Sequence, residues 1–474
     1  MNRLLVIAIA LAGLASCAMN PVSGERELAL VSESQEIEMG RQSAAAAESQ
    51  LGLVNDQRLQ DYVQRLGTQL ADASERPSLP WTFRVVDDPT PNAFAAPGGY
   101  IFVTRGLLAL MGNEAEFVSV LGHEIGHVTA RHAVSRMSRQ QLAQIGLGVG
   151  SMVSPTIAKF GELAAGGLQV LFLSYGREDE RQADKLGYDY ALAQNYDVRE
   201  MPNVFAALQQ SAKLAGHSPV PSWLASHPYP EERIGLVEQR LQTLPATSQP
   251  RRIGEDEYLT HIDGLMYGPN PRNGYFEGNR FLHPELAFRL DMPEGWQTQN
   301  MAQFVVGGSP ANDALIQLSL VQGGRAEAAD TFFRQEGLTA GRLESERVNG
   351  MGATIGRFEA QTEQGTVGGV AAFISMDNRT FRILGYTPAE KLSGYENTFR
   401  RTINSFDQLT DRAALARQPD RLEIVRLPRQ MTIAQFDRSY PSTIPLDELA
   451  LINQLPSTDS QMPARYPAKR VVDH

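Results

Sequence analysis

Leu121-Gly122-His123-Glu124-Ile125-Gly126-His127 is an HExxH pattern inside a helical run that starts near Asn113 and continues past Arg131. Residues four apart on an α-helix are separated by about 40° around the axis and roughly 6 Å along it, so His123 and His127 share one face. That face can hold a single metal ion. Neutral imidazoles suit zinc, and a Glu directly after the first His reaches a water that zinc acidifies, which makes Glu124 the candidate general base. The flanking Phe117, Val118, Val120, Leu121, Ile125 and Val128 are residues that proteins bury. Polar side chains within such a helix need partners. An exposed helix with two unrelated histidines would be flanked differently.

Two protein ligands do not complete a catalytic zinc site, which ordinarily has three plus water. The extended HExxHxxGxxH pattern is excluded, because positions 130 and 133 are Ala130 and Ala133. His132, rotated by about 140° from His127 if the helix continues, reads as a surface histidine. The search moves to Arg177-Glu178-Asp179-Glu180-Arg181-Gln182-Ala183-Asp184-Lys185-Leu186-Gly187, a charged helical stretch. Arg177, Glu180 and Asp184 share a face at three-and-four spacing. Glu180 suits a third ligand, and Asp184, one turn on, suits the acceptor that a metal-bound His needs on its other ring nitrogen. Glu178 is the alternative ligand, but it lacks an acidic partner four residues later.

Upstream, Phe83 to Asp87 reads as a short strand. Pro91-Asn92-Ala93-Phe94-Ala95-Ala96-Pro97-Gly98-Gly99-Tyr100-Ile101-Phe102-Val103 reads as two strand pieces around a Pro/Gly turn. A strand exposed beside the metal helix can pair with an extended peptide through main-chain hydrogen bonds. Asn92, Ala93, Phe94, Gly99 and Tyr100 are therefore the candidate substrate-binding residues. Downstream, His227 sits in a Pro-flanked turn, Ser226-His227-Pro228-Tyr229-Pro230. A loop His is most often structural, but beside zinc it has two further uses: filling the open coordination position or stabilising a developing oxyanion. Between the two charged motifs, residues 142–175 are apolar and Gly-rich, split by Pro155, and too short on either side to span a membrane. They read as buried helices or as a cover over the zinc.

The N-terminus speaks to compartment. Arg3 precedes an apolar run from Leu4 to Ala15, and Leu14-Ala15-Ser16-Cys17 resembles a bacterial lipobox in which Cys17 is acylated. Ala18 in place of Asp resembles lipoproteins sent to the outer membrane. Cys17 is the only cysteine, which excludes an intrachain disulfide. The net charge of −11 argues against nucleic acid as a partner. With 474 residues the chain has room for two to four domains.

Four segments together resemble the zinc metallopeptidases of peptidase family M48: PNAFAAPGGYIFVTRGLL, NEAEFVSVLGHEIGH, RExExxAD with Gly187, and SHPxPxxR. They cover roughly residues 25 to 245. The resemblance implies a mainly helical, gluzincin-like domain with a small sheet, one zinc ion held by His123, His127 and Glu180, and Glu124 as base. It also implies that His227 corresponds to a histidine that caps the zinc in periplasmic members and keeps them latent. Gly176, where members commonly have Ser, departs from the pattern.

The rest of the chain gives an α+β class overall. The expected order is a signal peptide and lipobox over 1–17, the peptidase domain over 18–250, a linker over 251–271, an α+β domain weakly resembling PsbP over 272–408, and a LysM-like βααβ unit over 420–474. The function expected is a zinc metalloendopeptidase, anchored to the outer membrane and facing the periplasm, that cleaves unfolded or misassembled envelope proteins. The alternatives are a chaperone-like assembly factor with latent proteolysis, and a zinc hydrolase acting on peptidoglycan peptides.

Overall fold

The computed structural model describes residues 17–22, 24, 26–28, 31–138, 174–215, 223–228, 230–244, 251–362 and 365–473. The signal segment over 1–16 and the apolar stretch up to residue 173 lie outside the described residues. The described chain forms two compact units: one gathers the residues up to 138, from 174 to 269 and from 420 onward, the other spans 270–419.

In the first unit, helix α1 (Glu33–Leu51) starts at a capping box in which the Ser32 and Gln35 side chains each accept from the other's backbone N–H. Helix α2 (Gln57–Ala71), capped by Asp56, buries Leu59, Tyr62, Val63, Leu66 and Leu70 along one stripe. A three-stranded sheet follows: β1 (Thr82–Val86), β2 (Ala93–Ala96) and β3 (Tyr100–Thr104), in the order β1-β3-β2. Strand β3 runs parallel to β1 and antiparallel to β2. The strand from Tyr100 is thus interior and already paired on both sides, which corrects the expectation that it offers a free edge. The edge position falls to β2.

Helix α3 (Glu114–Thr129) carries the HExxH residues. Asn113 caps it, and all sixteen of its residues are buried. Helix α4 (Arg177–Ala193) crosses it at very short range. A Cβ on Gly187 would lie 2.7 Å from the His123 nitrogen, and one on Gly122 would lie 2.9 Å from the Gly187 Cα. Glycines at these two positions let the helix backbones touch, and that contact brings Glu180 up to the histidines. Helices α5 (Met201–Ala215), α6 (Pro230–Leu241) and α7 (Glu255–Ile262) complete the helical layer. The expected linker over 251–271 is therefore structured: Tyr258, Leu259 and Ile262 of α7 are buried in the core, and the Tyr258 hydroxyl donates to the Leu108 carbonyl at 2.6 Å.

Residues 420–474 return to this unit. Strands β4 (Arg421–Arg426) and β5 (Pro467–Val472) pair antiparallel around helices α8 (Ile433–Ser439) and α9 (Leu446–Ile452), in the βααβ order expected. They do not form a core of their own. Leu422, Ile433, Phe436, Leu449, Ile452 and Val471 join the same hydrophobic core as α2 and α3. Buried Lys469 donates to the carbonyls of Ala109 (2.9 Å) and Met111 (2.5 Å), just before α3. Apolar residues on short strands and helices need a larger surface to cover them, and here the core of the first unit supplies it.

The second unit is built on a seven-stranded antiparallel sheet, ordered Leu338–Val348, Met351–Thr362, Gly365–Met376, Arg379–Pro388, Leu315–Val321, Phe304–Gly308, Gln297–Asn300. Two of its hairpins turn on pairs with positive φ, Asn349-Gly350 and Asp377-Asn378. Those conformations match the right-handed twist of paired strands. A four-stranded sheet and the helices Arg325–Phe333 and Leu392–Ser405 accompany it. The chain leaves and re-enters the first unit at adjacent points, since the Tyr267 N–H donates to the Asp420 carbonyl at 2.8 Å and Met266 bridges Arg421. No helix among the described residues is long and apolar enough to cross a membrane.

Candidate metal centre

Helices α3 and α4 and the turn after the short helix Trp223–Ser226 bring four donor groups together. His123, His127, Glu180 and His227 are all buried, and one ligand atom from each lies within 4.8 Å of the others. The closest spacings are 3.0 Å between the Nε2 atoms of His123 and His127, 3.2 Å from His123 Nε2 to His227 Nδ1, and 3.0 Å from His227 Nδ1 to Glu180 Oε1. Glu180 Oε1 lies 3.5 Å from His127 Nε2, and Glu180 Oε2 lies 3.6 Å from His123 Nε2. Four donors about 2.0–2.1 Å from one ion at tetrahedral angles would be spaced by about 3.3 Å. These spacings bracket that value.

The tautomers test the fit more stringently. His123 Nδ1 faces Asp184 Oδ1 at 2.9 Å, an acceptor, so that nitrogen carries the proton. His127 Nδ1 meets His132 Nδ1 at 2.9 Å. A proton on His127 Nδ1 as well would leave the two Nε2 lone pairs pointing at each other across 3.0 Å, an arrangement that a cation between them satisfies. The donor set therefore fits a divalent metal.

Buried charge around the donors is arranged to keep the carboxylates ionised. Arg233 from α6 is fully enclosed and donates through Nε and Nη2 to the two Asp184 oxygens at 2.7 and 2.6 Å. Its Nη1 lies 2.8 Å from Glu180 Oε2, close enough for an ion pair although outside hydrogen-bond geometry. Burial by itself raises the Glu180 carboxyl, but His227 and Arg233 hold it well below the ordinary range. Asp184 is likewise lowered, by Arg233 and His123, although burial alone would raise it. His127 is pushed well below its usual value, chiefly by burial. Glu124 is fully enclosed, and neither carboxylate oxygen has a hydrogen-bond partner among the described residues. Its Oε1 lies 3.4 Å from His227 Nε2.

Aromatic rings close the site. Tyr175 stacks on His127 with centroids 3.8 Å apart, and Trp223 stacks on His227 at 4.6 Å. The Tyr175 N–H donates to the Ser226 carbonyl, which ties the two covers together.

The other expected residues fall in different places. Arg177 does not join Glu180 and Asp184. It is the first residue of α4, its side chain is exposed and meets Glu232, and Arg233 occupies the position beside the two carboxylates. Asn92, Ala93 and Phe94 lie at or on β2, with the Asn92 N–H donating to Thr104 Oγ1 and Phe94 stacked on Phe102. Gly99, at φ 107°, belongs to the β2–β3 turn and Tyr100 to the interior strand, so neither lies on the edge strand. Cys17 opens a short strand, Cys17–Met19, paired with Arg26–Leu28. Glu178 is exposed and pairs with Arg181, which leaves Glu180 as the helix α4 donor. His132 is buried, contrary to the surface reading, because the helix ends at Thr129 and Arg131 at φ 59° turns the chain back. Sequence spacing missed Tyr175, Trp223, Arg233 and His132. The SHPxPxxR segment contained the signal for Arg233, but its spacing from Glu180 gave no hint of contact.

Comparison with known proteins agrees with this geometry. Residues 57–241 match the model of peptidase family M48. A putative beta-barrel assembly-enhancing protease of Vibrio cholerae is 33% identical over 202 residues, 41% of this chain and 41% of its own length. The beta-barrel assembly-enhancing protease of Escherichia coli K12 is 30% identical over 264 residues, 53% of each chain. The mitochondrial metalloendopeptidase OMA1 of Danio rerio is 30% identical over 189 residues, 38% of this chain and 40% of its own. The chain thus spans about half the length of the curated relatives it matches. Residues 57–241, which hold the donor cluster, are thus similar to peptidase family M48.

Proposed function

We propose that this chain is a zinc-dependent metalloendopeptidase of the bacterial cell envelope that hydrolyses peptide bonds in unfolded or misassembled envelope proteins. The observation that carries this reading is the convergence of His123, His127, Glu180 and His227 beside a buried carboxylate, Glu124, which has no hydrogen-bond partner among the described residues. One bound zinc would supply Lewis acidity, lowering the pKa of water and polarising a peptide carbonyl. Glu124 then takes the proton from the attacking water, whose oxygen bonds to the carbonyl carbon. It delivers that proton to the amide nitrogen as the C–N bond breaks. Asp184 and Arg233 hold His123 in the required tautomer. Strand β2, at the edge of its sheet, offers main chain through Ala93, between Asn92 and Phe94, for pairing with an extended substrate.

His227 occupies a donor position under Trp223, and this supports a latent state in which the histidine must withdraw before substrate enters. The relatives named as beta-barrel assembly-enhancing proteases support the envelope setting and assembly-related clients. The lipobox-like segment ending at Cys17 supports a lipid anchor in the outer membrane. The chaperone-like alternative draws on the same enclosed site, since clients would then bind while proteolysis stays latent. The βααβ order of 420–474 is what a peptidoglycan-binding reading rests on, but its packing into the peptidase core favours a structural role.

The test has four parts. Metal analysis should find about one zinc per chain. Glu124→Gln should lower cleavage of an unfolded envelope protein by about 10²–10⁴-fold with zinc retained, and cleavage at the wild-type rate would refute the mechanism. His227→Ala should raise proteolysis, and an unchanged rate would remove the latch. Detergent partitioning of wild type against Cys17→Ser tests the anchor.

A further inference from the structure

The two histidines of the HExxH pattern are backed in unlike ways. His123 Nδ1 faces a carboxylate, Asp184, itself clamped by Arg233. His127 Nδ1 faces another imidazole, His132, at 2.9 Å, and His132 Nε2 lies 2.9 Å from Gln182 Oε1 and 3.9 Å from Oδ1 of the partly exposed Asp179, both on α4. His132 reaches this position because Arg131 adopts a left-handed conformation at φ 59°. Its guanidinium is tied to Glu36 Oε2 at 2.9 Å and to the Val31 carbonyl at 3.0 Å.

We propose that His132 and Gln182 form a neutral relay that fixes the metal-binding tautomer of His127; this rests on the metallopeptidase reading above. A metal on His127 Nε2 requires the proton on Nδ1. That proton can be donated only if His132 Nδ1 accepts, which places the His132 proton on Nε2, where it donates to Gln182 Oε1. Metal binding therefore sets two tautomers and one amide orientation at once. The reverse arrangement, with the Gln182 amide donating, would put a proton on His127 Nε2 and close the site to metal.

A neutral partner at this position has an electrostatic reason. Glu124, Glu180 and Asp184 carry three formal negative charges, which Arg233 and a divalent ion balance. A second buried carboxylate in direct contact with His127 would leave one charge uncompensated, at a cost that an imidazole and an amide avoid; Asp179, beyond His132 and partly exposed, keeps contact with water. His132 is thus a positioning residue, acting on the metal through His127.

Purified full-length protein, stripped of metal, should be titrated with zinc against a chromophoric chelator. His132→Phe keeps ring volume and removes the acceptor. It should weaken zinc binding by about 10–100-fold. His132→Asn places an amide oxygen where Nδ1 stood and should recover binding to within several-fold. The visible bands of the cobalt-substituted protein should shift in His132→Phe and return in His132→Asn. A His132→Phe protein with wild-type zinc affinity and cobalt spectrum, or a His132→Asn protein no better than His132→Phe, would overturn the relay. Should His132→Phe fail to fold, Gln182→Leu, half-buried at the relay's far end, should weaken zinc binding several-fold; wild-type affinity there would also overturn it. Absence of metal binding by the wild-type protein would instead overturn the metallopeptidase reading.

Discussion

The two units of this chain treat charge in opposite ways. The first buries Glu36, Arg76, Glu114, Glu116, His123, Glu124, His127, Glu180, Asp184, Arg233 and Lys469. Among the described residues of the second, the buried polar side chains are hydroxyls: Ser309, Thr380, Thr387 and Thr402. Its nearest approach to a buried charge is Arg382, whose Nε is enclosed and whose pKa burial lowers. Burying an ion costs several kcal/mol unless other charges and hydrogen bonds offset it. A fold retains that cost where chemistry needs it, and the donor cluster lies in the unit that bears it. The second unit is held by an alternating sheet and aromatic packing, which needs no ions.

That contrast can be broken or sharpened by experiment. The largest expected effect is for Arg233→Met, which leaves Asp184 and Glu180 buried without their shared cation. The first unit should lose about 3–5 kcal/mol, and the second should be unaffected. Urea unfolding followed by probes in each unit checks this, and equal shifts in both would erase the distinction.

In the second unit the predicted sensitivity is to acid. His283 accepts from the Leu286 N–H through Nδ1 and packs near Phe288, and burial lowers its pKa from 6.5 to about 4. The unfolded chain takes up a proton as pH falls through 6.5, and the folded chain does so only near 4. The stabilising contribution is therefore present above pH 6.5 and is lost on going down to pH 4. A gap of about 2.5 units at 1.36 kcal/mol each amounts to about 3 kcal/mol. Melting of the second unit between pH 7 and 4 should show this slope, and His283→Phe should flatten it.

Gly187→Ala would press a methyl group against the His123 backbone. It should cost about 1–3 kcal/mol and weaken metal binding, because the helix that carries Glu180 must move away. Circular dichroism melts and zinc titration would measure both. The smallest expected effect is from the largest change. Replacing 270–419 by a short Gly/Ser linker should alter the stability of the first unit by about 1 kcal/mol or less, because Tyr267 and Asp420 already meet through a backbone hydrogen bond. Loss of the first unit's folding in that variant would show that the two units depend on each other.

Several elements were legible because their information is local. In the sequence, Leu315 to Val321, Ala353 to Phe358, Val367 to Ile374 and Arg379 to Tyr386 read as strands, and the structure has Leu315–Val321, Met351–Thr362, Gly365–Met376 and Arg379–Pro388. Helical phase put His123 with His127, and Glu180 with Asp184. The errors lie where a single local rule was extended too far. Phase also grouped Arg177 with Glu180, but a first-turn arginine has open solvent beside it. Continuing the helix past Thr129 sent His132 to the surface, whereas one left-handed residue folds it inward. The stretch 251–271 read as a linker, although Tyr258, Leu259 and Ile262 carry a buried stripe.

What the sequence by itself determined is the donor inventory and its pairing within each helix, because 3.6-residue periodicity relates side chains only a few positions apart. Tertiary structure alone decided that Arg233, not Arg177, neutralises the carboxylates. It also decided that His132 stands behind His127, that Tyr175 and Trp223 close the site, and that residues 420–474 pack into the peptidase core. These are meetings between groups distant in the chain or placed by a single turn. They are set by the close crossing of α3 and α4 and by the packing around it, which no local pattern encodes.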